Sequence, residues 1–135
     1  MELDTYVPYK VHYALRGTLT KLKKLPAVFY ATRGGNEPVR EWLKGLDHKD
    51  RRTVGQDIAT AEFYWPVGMP LCRSMGQGLY EVRSTISNGR IARVLFFVSA
   101  GAMVLVHGFI KKVRKTPKPD LDTALKRMKE YKRYE

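Results

Sequence analysis

Cysteine is nearly absent from this chain of 135 residues: Cys72 stands alone. A disulfide framework is therefore excluded. The three histidines, His12, His48 and His107, lie far apart, so no Cys/His set with zinc spacing exists and neither a metal nor another cofactor is expected. Long apolar runs are missing too. The longest, residues 94–98, suits a strand and falls well short of the roughly 20 residues that a membrane helix requires. The N-terminus carries no apolar core followed by a small-residue cleavage site, so no membrane association is expected and the compartment is a reducing cytosol. Acidic residues are scarce as well, 13 against 25 Lys plus Arg, which leaves a formal net charge of +12. An excess of that size raises the local concentration of phosphates and speeds encounter with polyanions.

What is present supports one domain of modest core, with 44% hydrophobic residues. Residues 1–25 stand apart from residues 26–135. In that extension Val11, Leu15, Leu19 and Leu22 recur at helical spacing among His12, Arg16, Lys21, Lys23 and Lys24, and Pro26 follows. The pattern reads as a basic amphipathic helix, with a poorly ordered extension or a misassigned start codon as the alternatives. Residues 27–32 read as a strand stopped by Gly34-Gly35. Asn36 is the expected N-cap of a first helix with Pro38 in its first turn and Val39, Trp42, Leu43 and Leu46 as its stripe. Asp47 with Asp50 is expected to cap a second helix, whose core face is Val54, Ile58, Ala61 and Trp65. Gly68, Pro70, Gly76 and Gly78 read as a loop. Three strands follow at 79–86, 90–99 and 103–110, joined by the turns Ser87-Asn88-Gly89 and Ala100-Gly101. A last helix, capped by Thr116 or Asp120, carries Leu121, Leu125 and Met128. The order gives an α+β fold: a small twisted antiparallel sheet with its helices packed on one face.

Charge inside the strands is the unusual feature. Arg83, Arg93, His107 and Lys111 sit at alternating positions in runs that otherwise read as buried sheet. Side chains alternate faces along a strand, so these four share a face while valines and phenylalanines pack the other. A sheet with one apolar and one cationic face calls for an anionic partner, and nucleic acid is the polyanion that fits.

The chain resembles the RelE/ParE toxin superfamily, and within it the HigB-like, phage-related branch of toxin–antitoxin modules. The resemblance rests on Asn36-Glu37-Pro38-Val39-Arg40-Glu41-Trp42-Leu43, Gly68-Met69-Pro70-Leu71, Leu79-Tyr80-Glu81-Val82-Arg83, Arg90-Ile91-Ala92-Arg93-Val94-Leu95-Phe96, His107-Gly108-Phe109-Ile110-Lys111-Lys112 and Lys115-Thr116-Pro117, and covers residues 26–133. It implies a RelE-like fold and a toxin that cuts mRNA on translating ribosomes without metal. It also implies neutralisation by a helix-turn-helix, HigA-like antitoxin. By strand position it places Arg83 and Arg93 at the scissile phosphate, which the ribose 2′-oxygen attacks. A ParE-like, non-enzymatic gyrase inhibitor on the same fold and a nucleic-acid-binding module without toxicity are the competing readings.

Such a cleavage builds negative charge on the phosphate, and one well-placed donor contributes roughly 3–4 kcal/mol to stabilising it. Arg83 suits this role because its fork binds phosphate bidentately; its alternative is a salt bridge to Glu81. Arg93, set mid-strand, either pairs with Glu81, touches phosphate, or does both. His107 is either a base or a core residue satisfied by a carbonyl. Lys111 is the fourth catalytic candidate. Arg73, Arg90, Lys112, Arg114, Lys115 and Lys118 are the candidate nucleic-acid contacts, a solvated strand end or helix face being their alternative.

Overall fold

The computed structural model describes residues 23–111 and 115–134. The helix expected within residues 1–25 falls, up to residue 22, outside these, as do Lys112, Arg114 and the side chain of Lys111. The elements run β1 (Ala27–Phe29), α1 (Pro38–Gly45), α2 (His48–Tyr64), β2 (Cys72–Gly76), β3 (Leu79–Thr85), β4 (Ile91–Ser99), β5 (Ala102–Lys111) and α3 (Lys118–Tyr134). The sheet order is β1-β5-β4-β3-β2, with β1 parallel to β5 and all other pairs antiparallel. This is an α+β fold, a five-stranded mixed twisted sheet with three helices, compatible with a small RelE-like fold.

Local chemistry accounts for most boundaries. Pro38 opens α1, where a missing N–H costs nothing. The cap position is Glu37 rather than the expected Asn36, and it makes no side-chain cap bond. Asn36 instead closes a turn with Thr32, donating its N–H to Thr32 Oγ1 at 3.2 Å. Asp47 caps α2 as expected, its carboxylate accepting from the Asp50 N–H at 2.9 Å. Ala100 (φ 49°) and Gly101 (φ 75°) make the tight β4–β5 hairpin, a conformation glycine adopts freely. The start of α3 differs from expectation: Thr116 Oγ1 makes no hydrogen bond, and Asp120 lies inside the first turn.

Two further corrections concern the sheet. The segment read as a loop contains β2, whose Cys-Arg-Ser-Met-Gly sequence buries only Cys72 and so lacks the alternation that signals a strand. Register with β3 makes it a strand: Cys72 pairs with Val82, Arg73 with Glu81 and Ser74 with Tyr80. The helices also do not share one face. Val39 and Leu43 of α1 and Val54, Ile58 and Ala61 of α2 pack with Val82, Val94, Phe96, Met103 and Leu105. Ala124 and Met128 of α3 pack on the opposite side with Leu79, Leu95, Phe97, Val104 and Val106. Central strands buried on both sides read as continuous apolar runs, which is the pattern of residues 94–97 and 103–106.

Two buried acids tie the helical layer to the sheet. Glu62 near the end of α2 accepts from the Ala27 N–H at 2.7 Å and from Lys23 Nζ at 3.1 Å, anchoring the entry to β1. Burial pushes its carboxyl up, against the pull of those donors. Asp50 of α2 accepts from Ser87 Oγ (2.7 Å), the Ser87 N–H (3.1 Å) and Arg90 Nη2 (2.8 Å), fixing the β3–β4 turn. The Ser87 hydroxyl, with further help from its N–H and Arg90, holds the Asp50 carboxyl below its usual range although burial opposes this.

Two predictions follow from these contacts. A lowered carboxyl stabilises the fold above its unfolded pKa, and that contribution is lost as the pH falls through the folded value. Asp50→Asn should therefore cost about 1–3 kcal/mol at neutral pH, with the gap to wild type closing below about pH 4 in denaturant titrations. At Gly108 of β5, an added Cβ would lie 2.7 Å from Cδ2 and 2.8 Å from Cζ3 of Trp42, whose ring rests on that glycine. Gly108→Ala should cost about 1–3 kcal/mol, because the ring is wedged between α1 and β5; an unchanged thermal midpoint would contradict this packing.

Candidate functional site

The sheet face that carries α3 also carries the arginines. Arg83 on β3 pairs directly with Arg93 on β4, and Arg73 on β2 pairs with Glu81 on β3. Alternation sets Glu81 and Arg83 on the same side, so three guanidiniums converge on one carboxylate. Glu81 Oε2 lies 3.0 Å from Arg73 Nε and 3.7 Å from Arg83 Nε, and Oε1 lies 3.9 Å from Arg93 Nη1. Glu81 is wholly buried and Arg93 is 1% exposed, whereas the side chains of Arg83 and Arg73 are 24% and 35% exposed. Neither oxygen of Glu81 is aligned with these donors as a hydrogen bond, so the attraction is chiefly Coulombic.

Three cations around one anion leave a surplus of two positive charges at a partly buried place. Burial pulls the Arg93 guanidinium below its usual range; Glu81 opposes this, and Arg83 and Arg73 add to it. An anion bound beside Arg83 would offset the excess of positive charge within this cluster. Arg83 is engaged through Nε, not through the two terminal nitrogens that form a bidentate phosphate contact.

Beside Arg83 the sheet edge opens. β2 begins its pairing at Cys72 opposite Val82, and the Arg83 N–H bonds to the Leu71 carbonyl. At that corner a hollow of about 430 Å³ is lined by Asp57, Pro70, Leu71, Arg83, Thr85 and Ile91. A second hollow, of about 300 Å³, lies between Tyr30, Arg33 and the Glu130–Tyr134 end of α3, and none of the sheet arginines lines it. The first is where the charge is, and it is the better candidate site.

The other expected residues are distributed differently. His107, opposite Leu95 on β5, stacks on Phe109, which in turn lies opposite Arg93. Its Nε2 lies 2.7 Å from Asp120 Oδ1, and Arg127 Nη1 lies 3.3 Å from its Nδ1 while also donating to the Val106 carbonyl at 2.8 Å. His107 thus fastens the start of α3 to the sheet. Lys111 ends β5 in register with Ile91. Arg90 is held by Asp50 and the Ser87 carbonyl at the β3–β4 turn. Lys115 is exposed, and Lys118 forms an exposed pair with Asp122 at 2.8 Å. Sequence reasoning missed Asp57, although an acid placed one residue before Ile58 of the buried stripe is a visible irregularity. It also missed the buried role of Asp50.

No metal-binding group of His, Cys, Asp and Glu occurs among the described residues, and no helix among them is long and apolar enough to cross a membrane. A family model described as phage-derived protein Gp49-like (DUF891) matches residues 41–129, about two thirds of the chain. The chain belongs to this Gp49-like family. The family is RelE-type and toxin-like, so the chain is a phage-derived toxin-like protein for which an antitoxin partner is implied. The matched span holds the whole Glu81 cluster, Asp57, His107 and Asp120. No curated protein resembles the chain closely enough to count as a match.

Removing the shared carboxylate tests the electrostatic account. Glu81→Gln should lower the unfolding free energy by about 3–5 kcal/mol, because Arg93 stays buried beside two like charges. Added inorganic phosphate should recover part of the loss by occupying the anion site, as read from denaturant midpoints. A variant as stable as wild type would show that the arginines do not depend on Glu81.

Proposed function

We propose that this Gp49-like protein is a HigB-like toxin: a ribosome-dependent, metal-independent endoribonuclease that inhibits translation in the cytoplasm and is held in check by a helix-turn-helix, HigA-like antitoxin. The observation that carries this reading is the cluster of three arginines around Glu81, one of which, Arg83, lines an open hollow. In this reading Arg83 and Arg93 bind the scissile phosphate as the 2′-oxygen attacks, and they stabilise the charge that develops on it. In the same reading His107 and Lys111, on either side of the Phe109 that lies opposite Arg93, are the remaining catalytic candidates. Arg73, Arg90, Lys112, Arg114, Lys115 and Lys118 hold flanking RNA through sequence-independent, salt-sensitive contacts. A fold of this type also serves non-enzymatic inhibitors, so the residues rather than the topology support the nuclease.

Brief induction followed by mapping of RNA 5′ ends separates the readings. Cuts within translated frames are expected; DNA damage without cuts would point to a gyrase inhibitor, and unaffected growth to a binding module. Arg83→Ala should keep the fold, since its side chain is partly exposed, and should reduce turnover on ribosome-bound mRNA about 100-fold or more. Arg83→Lys should restore only part, because an ammonium keeps the charge but not the fork. A folded Arg83→Ala protein with wild-type turnover would reduce Arg83 to a salt-bridge partner of Glu81.

A further inference from the structure

We propose that Asp57 is the proton acceptor for the attacking 2′-hydroxyl, working across the hollow from Arg83. The inference rests on the ribonuclease reading and deepens it. Asp57 and Arg83 line the same hollow of about 430 Å³, which has room for a ribose and its phosphate. Their meeting follows from the fold. The buried stripe Val54, Ile58 and Ala61 turns α2 toward the sheet, and Asp57 falls beside that stripe where the β2–β3 pairing begins. A helix on one side of the sheet and an arginine on the other can face a common space only at such an edge.

Elimination on chemical grounds points the same way. Arginine keeps its proton and cannot serve as a base. Glu81 is wholly buried within three arginines. His107 has both ring nitrogens engaged. Because Arg127 can only donate, Nδ1 of His107 must accept, which leaves Nε2–H donating to Asp120. Among the described residues lining the hollow, Asp57 carries the one carboxylate.

The surroundings of Asp57 favour proton uptake. Burial pushes its carboxyl above the usual range, opposed by the nearby Ser84 side chain. Facing it are Ser84, Arg83 and Thr85 of β3 and the Cys72 thiol of β2, itself pushed up to about 11, chiefly by burial and then by the charges of Asp57 and Glu81. On its own helix, Thr53, Val54, Thr60 and Ala61 lie one turn away, and none of them titrates. In the step itself the 2′-hydroxyl proton passes to the Asp57 carboxylate as the 2′-oxygen bonds to phosphorus. The bond from phosphorus to the 5′-oxygen breaks, that oxygen takes a proton from water, and Asp57 returns its proton to solvent. The products are a 2′,3′-cyclic phosphate and a 5′-hydroxyl end.

The test is cleavage of ribosome-bound mRNA by the full-length chain across a pH series, with a thermal melt of each variant. Wild type should show an acid limb centred above the ordinary aspartate range. Asp57→Asn should cut about 100-fold more slowly or worse, lose that limb, and melt at or above the wild-type temperature. The gain or tie in stability follows from a raised carboxyl: its ionised form opposes folding at neutral pH, and the amide removes the charge. Arg83→Ala, run in parallel, should be slow but keep the limb, since Arg83 does not titrate there. Wild-type turnover with an unchanged limb in Asp57→Asn overturns the inference. So does an Asp57→Asn chain that fails to fold, because the carboxylate would then be a structural anchor. Absence of cutting by wild type at every pH would instead refute the ribonuclease reading.

Discussion

A carboxylate sealed from water governs this molecule. Glu81 has no solvent exposure and is surrounded by Arg73, Arg83 and Arg93, which reach it from three adjacent strands. Removing a charge from water costs several kcal/mol, and the attraction of a partner repays this only when geometry and number suit. Here the cations outnumber the anion. The carboxylate therefore does two things at once: it permits arginines inside a sheet, and it gathers them where the edge opens beside Arg83. The strand register follows from the same constraint, since slipping β3 by one residue would drive Glu81 and Arg83 into the apolar layer under α1 and α2.

Much of this was legible in the chain. The α1 stripe, the Asp47 cap, the Ala100-Gly101 hairpin and the three meander strands all follow from short-range signals, and the structure contains each of them. The pairing of Arg83 and Arg93 with Glu81 was also visible, because alternation on adjacent strands brings those positions together. What escaped was set by tertiary context. β2 has little apolar content and exists because β3 offers it an edge. The side on which α3 packs is secured by the Asp120–His107–Arg127 contacts, which have no periodic signature. Asp57 gains its setting only from β3 and the Pro70–Leu71 turn, which line the hollow with it.

Two apolar layers and one charged corner divide the work of the fold. The layer beneath α1 and α2 supplies most of the burial, with Trp65, Tyr80 and Phe96 packed ring against ring. The layer under α3 is smaller and ends in polar fastenings: His107 to Asp120, Arg127 to the Val106 carbonyl, and Tyr30 to Glu130 at 2.9 Å. Burial pulls Arg127 down and, with help from Glu130, pushes the Tyr30 hydroxyl up, as expected for polar groups kept from water by a single helix. Membership in a toxin-like family fits this division, because such a protein needs a rigid scaffold behind a cationic surface that a partner can neutralise.

The mooring of Lys23, Lys24, Leu25 and Ala27 to Glu62 also fixes where the polypeptide enters the fold. Leu25 is buried in the layer under α1 and α2, so the chain enters on the face of the sheet opposite α3. The described chain therefore starts behind the sheet from the arginine corner. The exposed Lys24 is accordingly a position at which to attach a label or a surface tether while leaving the arginine corner open.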